Sequence, residues 1–123
     1  MSPTGPRWVA RSPRQCRGAD GESRACRFLE RQGLRIVARN VRYRLGELDI
    51  VAFDRELLVF VEVRVRGSLA EAASSLGPAK QGKMRRAAQI YLLRHHGQRW
   101  PACRFDAIFV VGGEVHWLRD AFH

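Results

Sequence analysis

Two stretches carry acids inside otherwise apolar runs: Gly46-Glu47-Leu48-Asp49-Ile50-Val51 and Val59-Phe60-Val61-Glu62-Val63-Arg64-Val65-Arg66, separated by the polar Asp54-Arg55-Glu56. Both alternate apolar and polar residues, the period of a half-buried strand, so residues of one parity pack inward and Glu47, Asp49, Glu62 and Arg64 project together from the other face. A hairpin centred between Arg55 and Glu56 sets Asp49 opposite Glu62 and Glu47 opposite Arg64. Directly opposed side chains start roughly 4.5–5.5 Å apart at Cβ. Two carboxylates that close repel unless a cation or a proton lies between them, so the pattern calls for a divalent metal or a raised pKa. A one-residue slip would send the two acids to opposite faces and remove the argument.

The elements that must hold these strands are legible on either side. Asp20 caps a helix over about 21–32, with Ala25, Phe28 and Leu29 at helical spacing, Glu22 in its first turn and Gly33 as its stop. Ile36, Ala38 and Val41 mark a first strand, and the basic Arg42-Tyr43-Arg44 leads from it to Gly46. After the hairpin, the small residues of 67–77 read as a flexible loop near the carboxylate end of the sheet. A second helix runs from Pro78 to about His96, with Met84, Ala87, Ala88 and Tyr91 on one face, and Gly97 ends it. Lys80 and Gln81 lie in its first turn, where backbone dipole and basic side chains favour a phosphate. Residues 104–111 and 114–118 read as two closing strands around Gly112-Gly113.

Other residues carry less. Adjacent helical His95 and His96 point about 100 degrees apart, which forms no chelating pair, and they are expected on the surface. Asp106, on an apolar strand, is expected to be a buried, hydrogen-bonded acid. Cys16, Cys26 and Cys103 are odd in number without paired spacing, which points to free thiols rather than a disulfide framework or a zinc cluster. The sequence contains no nucleotide-binding glycine loop, serine triad or cysteine-nucleophile motif.

At 123 residues the chain fits one α/β domain over 20–123, behind a basic segment, 1–19, with four arginines and no acid, expected to be disordered. Lys and Arg outnumber Asp and Glu by 22 to 12, for a net charge of +10. Such a balance favours a polyanion, with nucleic acid first among candidates. The longest apolar run, Leu57 to Val61, is far short of the roughly 20 residues that span a bilayer. With no secretory leader visible, a cytoplasmic location without membrane partners is expected.

Taken in order, Gly21-Glu22, Ala38-Arg39-Asn40-Val41-Arg42, Gly46 to Val51, Phe60 to Arg66, Lys80-Gln81, Arg104-Phe105-Asp106, Trp117 and Ala121-Phe122 resemble the YraN-type proteins, relatives of restriction-endonuclease-like and Holliday-junction-resolvase-like nucleases. The resemblance covers roughly residues 18–122. It implies a restriction-endonuclease-like core, a mixed central sheet flanked by helices, with Asp49 and Glu62 as ligands of Mg²⁺ or Mn²⁺. Glu22 matches the superfamily's helical acid and Gln81 a polar residue of the second core helix. Arg64 stands where the superfamily usually has lysine; a guanidinium stays protonated, so it can stabilise phosphate charge but cannot serve as a base.

The implied activity is metal-dependent endonucleolytic hydrolysis of DNA, structured or branched, with catalytic roles for Asp49, Glu62, Arg64, Glu22 and Gln81. Arg42, Arg44, Arg66, Lys80 and Lys83 would grip the flanking backbone. A homodimer follows if the resolvase analogy extends to paired cuts. The alternative is a nucleic-acid-binding protein that keeps the nuclease scaffold with little or no catalysis.

Overall fold

A computed structural model describes residues 20–123; the expectation for segment 1–19 lies outside them. Asp20 opens helix α1 (Gly21–Arg31) by accepting the Ser23 amide at 2.9 Å, which also holds its carboxyl below the usual carboxylate range. Gly33 leaves the helix at φ 95°, the left-handed conformation that makes glycine the natural stop. The chain then enters β1 (Arg35–Tyr43), β2 (Gly46–Asp54) and β3 (Leu57–Arg66), crosses over through α2 (Leu69–Ser74) and α3 (Pro78–His96), and closes with β4 (Cys103–Val111) and β5 (Glu114–Phe122).

The five strands form one mixed sheet in the order β1-β2-β3-β4-β5, antiparallel except for the β3–β4 pair. That parallel pair requires a crossover, and α2 and α3 supply it. This is an α/β architecture compatible with the restriction-endonuclease-like core that the motifs imply.

Strand parity divides the molecule into layers. Trp117 meets Phe28 of α1 edge-on, and Val65 and Val110 lie under Gly21, so α1 covers one face. Phe60 meets Tyr91 and Phe53 meets His96, so α3 covers the other. By the same alternation Asp49 and Glu62 belong to the α3 face, and Arg39 and Asp106 to the α1 face.

Three expectations change. Segment 67–77 is not all loop: Ser68 caps α2 by accepting the Glu71 amide at 3.1 Å, and Ala72 and Leu76 are buried in a small cluster with Met84, Ala107, Phe109 and Phe122. Six residues are too few for periodicity to announce a helix. Secondly, the first and last strands run further than expected, to Tyr43 and to Phe122, the latter past an irregularity between Phe105 and Ala107. Thirdly, His95 and His96 are half-buried rather than exposed, because the Tyr91 ring, one helical turn away, lies tilted against His95 with centroids 4.2 Å apart and Phe53 meets His96 edge-on.

Gly46 starts β2 directly against α3, where a Cβ would overlap the Lys83 carbonyl oxygen. Backbone cannot yield there as a flexible side chain could. Gly46→Ala is therefore expected to lower stability by about 1–3 kcal/mol, read as a lower urea midpoint at unchanged slope. An unchanged midpoint would show that α3 can back away freely.

Candidate metal centre

The β2–β3 pairing runs from Asp54 opposite Leu57 to Ile50 opposite Val61, the register expected of a hairpin centred on Arg55-Glu56. Beyond Ile50, β2 stays with β1 as far as Gly46, whereas β3 stays with β4 as far as Arg66. The sheet thus opens at Asp49 and Glu62. Asp49 Oδ2 accepts the Val63 amide at 2.9 Å, so its side chain ties the strands together where their ladder has ended.

Glu62 is 2% exposed. Arg64 Nε lies 3.2 Å and Lys80 Nζ 3.7 Å from its Oε2, while no hydrogen-bond donor reaches its buried Oε1. Burial first, and then the Asp49 charge, push the Glu62 carboxyl up to about 8, against the opposing pull of Lys80 and Arg64. An acid in such a place holds a proton near neutral pH or gives it up to a cation.

Glu47 does not pair with Arg64, as the hairpin register alone would have it, because the ladder has opened before that point. It faces Arg42 across the β1–β2 ladder, at 3.9 Å, and reaches Lys80 Nζ at 3.8 Å. Lys80 therefore bridges two carboxylates from the first turn of α3.

Glu22 approaches from α1. Burial, followed by the Asp49 charge, raises its carboxyl pKa, and Arg39 opposes both. Arg39 is the neighbour that the sequence alone does not single out. It is 4% exposed, and its Nη2 lies 3.1 Å from Glu22 Oε1 and 3.4 Å from Ser23 Oγ. Its signal was parity: Arg39 alternates with Val37 and Val41, a cation on an otherwise apolar face.

Gln81 is engaged elsewhere. Its amide donates to Leu76 O at 3.0 Å and its Oε1 receives Arg85 at 3.4 Å, tying the link between α2 and α3 to the first turn of α3. Of the expected phosphate-gripping residues, Arg44, Lys80 and Lys83 line a cleft of about 250 Å³ beside Glu47. Arg42 and Arg66 are exposed, and Arg66 donates to its neighbour's carbonyl, Val65 O, at 2.8 Å.

Asp49 and Glu62 are the residues that could hold a divalent cation. Among the described residues no three His, Cys, Asp or Glu side chains converge on one point, so the protein offers no closed cage. Magnesium does not require one: it keeps most of its waters and commonly uses one or two carboxylates together with substrate phosphate.

Residues 21–110 match the uncharacterised protein family UPF0102. The chain belongs to this family. A UPF0102 protein of Nitrosococcus oceani is 44% identical over 112 residues, covering 86% of this chain and 90% of the relative. One from Halorhodospira halophila is 44% identical over 119 residues (95% and 94%), and one from Burkholderia thailandensis 50% over 108 (85% and 74%). UPF0102 is the YraN family that the motifs resemble, and its matched span takes in Glu22, Asp49, Glu62 and Arg64. Among the described residues no helix is long and apolar enough to cross a membrane.

Proposed function

We propose that this UPF0102 protein is a metal-dependent endonuclease that hydrolyses phosphodiester bonds in DNA, with structured or branched DNA as the substrate class. The observation that carries the reading is Glu62: a buried acid beside a second acid, with one oxygen that no donor satisfies. Such a group costs stability unless a ligand repays it, and a cation shared with Asp49 is the natural one.

Mg²⁺ or Mn²⁺ held by Asp49 and Glu62 would polarise the phosphate and acidify an attacking water. The chain's own residues do the rest. Val63 fixes the Asp49 carboxylate through its amide. Arg64 and Lys80, both beside Glu62 Oε2, present two cations to the phosphate charge, and neither is needed as a base. Glu22, held by Arg39, would orient the water or assist a second cation. Arg44 and Lys83 meet the flanking backbone, and a symmetric dimer would align two such sites for paired cuts.

The test uses purified protein with plasmid, single-stranded and four-way-junction DNA, in Mg²⁺, in Mn²⁺ and in chelator. Cleavage is expected only with metal, and Asp49→Ala or Glu62→Ala is expected to reduce it on the order of a hundredfold or more. Activity surviving both substitutions would sink the site.

One observation favours a second reading, in which the protein binds nucleic acid without cutting it. Lys80 and Arg64 already give Glu62 Oε2 two cationic neighbours, which could hold an ionised carboxylate without metal. Metal-independent DNA binding with no cleavage of any substrate would decide for it.

A further inference from the structure

A second cavity, of about 490 Å³, lies away from the carboxylates. It sits on the α1 face, between the turn after α1, the β2–β3 turn and strand β5. Asp54 lies five positions along β2 from Asp49, or about 17 Å along the strand, and the two sites open on opposite faces. Its walls include Gln32, Leu34, Asp54, Arg55, Trp117 and Arg119.

These walls are built, not incidental. Trp117 Nε1 donates to the fully buried Asp106 at 2.9 Å, and Phe28 meets the indole edge-on, so the ring is locked in place. Arg104 is held by the same Asp106 carboxylate through two hydrogen bonds, of 2.8 and 2.9 Å, and reaches Asp54 at 3.5 Å. Arg119 lies over the Trp117 ring, 4.2 Å from its centroid. A guanidinium layered on an indole presents its outer face as a second flat surface.

Arg55 and Arg119 are exposed and form no ion pair among the described residues. Arg55 stands at φ 59° at the tip of the hairpin, a conformation unusual for a residue other than glycine, asparagine or aspartate. The cavity therefore combines a stacking platform, two cations without carboxylate partners, and acceptors from Asp54 and Gln32.

From this arrangement we infer that the cavity binds one unpaired nucleotide of a single-stranded nucleic acid. Its base stacks on the Trp117–Arg119 layer, its base edge meets Asp54 or Gln32, and its phosphate meets Arg55. Single-strand binding sites are made of these parts, flat surfaces for bases and cations for the backbone. An anion-only surface would not need the locked indole. The inference is independent of the carboxylate site, since no residue is shared.

The experiment reads Trp117 directly. In full-length protein carrying Trp8→Phe and Trp100→Phe, Trp117 is the sole tryptophan. Its fluorescence is expected to be quenched saturably by a short oligothymidylate or oligouridylate, and comparison of the two separates a DNA source from an RNA source. An oligonucleotide of the same length without bases is expected to bind about tenfold more weakly, as is oligothymidylate to Arg119→Gln. Arg55→Asn, which suits the positive φ, is expected to weaken binding similarly, while Asp49→Ala leaves it unchanged. Quenching that ignores Arg119→Gln, equal binding by the base-free strand, equal quenching by polyglutamate, or no saturable quenching by either oligonucleotide would overturn the inference. Quenching lost together with cleavage in Asp49→Ala would overturn it as well, because the cavity shares no residue with the carboxylate pair.

Discussion

Glu62→Gln is expected to raise the melting temperature at pH 8 while abolishing any stabilisation by Mn²⁺. The glutamine keeps the size of the protonated acid and removes the charge that burial penalises. Glu62 titrates near 8 in the folded protein against an ordinary 4.5, so the native state binds the proton more tightly than the unfolded state does. Stability from this group is therefore full below about 4.5, falls as pH rises from there towards 8, and is level above. Glu22, also raised, contributes in the same direction.

The substitution should leave stability nearly unchanged at pH 5 and add on the order of 2–4 kcal/mol at pH 8, after relaxation softens the burial cost. Thermal melts across that range, with and without Mn²⁺, check both halves. A buried acid kept for packing would show the pH-dependent gain but no metal-induced shift in the wild-type protein. That outcome would remove Glu62 from the metal centre and leave it a structural residue.

The register of the hairpin was legible because two parities agree: Asp49 and Glu62 alternate with apolar residues on both sides, and Asp54-Arg55-Glu56 can only be a turn. What parity does not reveal is where a ladder stops. The opening of the sheet beyond Ile50 is a tertiary outcome, β3 remaining with its parallel partner while β2 remains with β1, and it redirects Glu47 from Arg64 to Arg42 and Lys80.

The same limit applies to Arg39, whose partner lies 17 residues away in α1. It applies also to Gln81, whose place in the first turn of α3 suited a phosphate until the carbonyl of Leu76, in the link after α2, claimed its amide. Helix α1 and helix α3 were legible from end to end because their start and stop signals are local: Asp20 and Gly33 for one, Pro78 and Gly97 for the other.

The molecule contains a second buried acid, and its partners predict a different result. Asp106 is fully buried like Glu62, yet its two oxygens accept four hydrogen bonds: Arg104 Nε at 2.8 Å, and Arg104 Nη2, Trp117 Nε1 and the Asp120 amide at 2.9 Å each. Asp106 has nothing left to offer a cation, whereas Glu62 Oε1 has no donor at all. Asp106→Ala strands an arginine, an indole and a backbone amide at once. It is expected to cost about 3–5 kcal/mol, a large share of the roughly 5–15 kcal/mol that holds a domain together.

Asp106→Asn is expected to cost less, since an amide oxygen can keep part of the set but its NH₂ then faces Arg104. Urea denaturation measures both. In whatever fraction stays folded, Mn²⁺ should still raise stability, because the carboxylate pair lies on the opposite face of the sheet. A loss below about 1 kcal/mol for Asp106→Ala would mean that water replaces the carboxylate at this point and that the wall behind Trp117 is softer than its hydrogen bonds imply. Retained stability together with lost metal binding would instead exchange the roles assigned to the two buried acids.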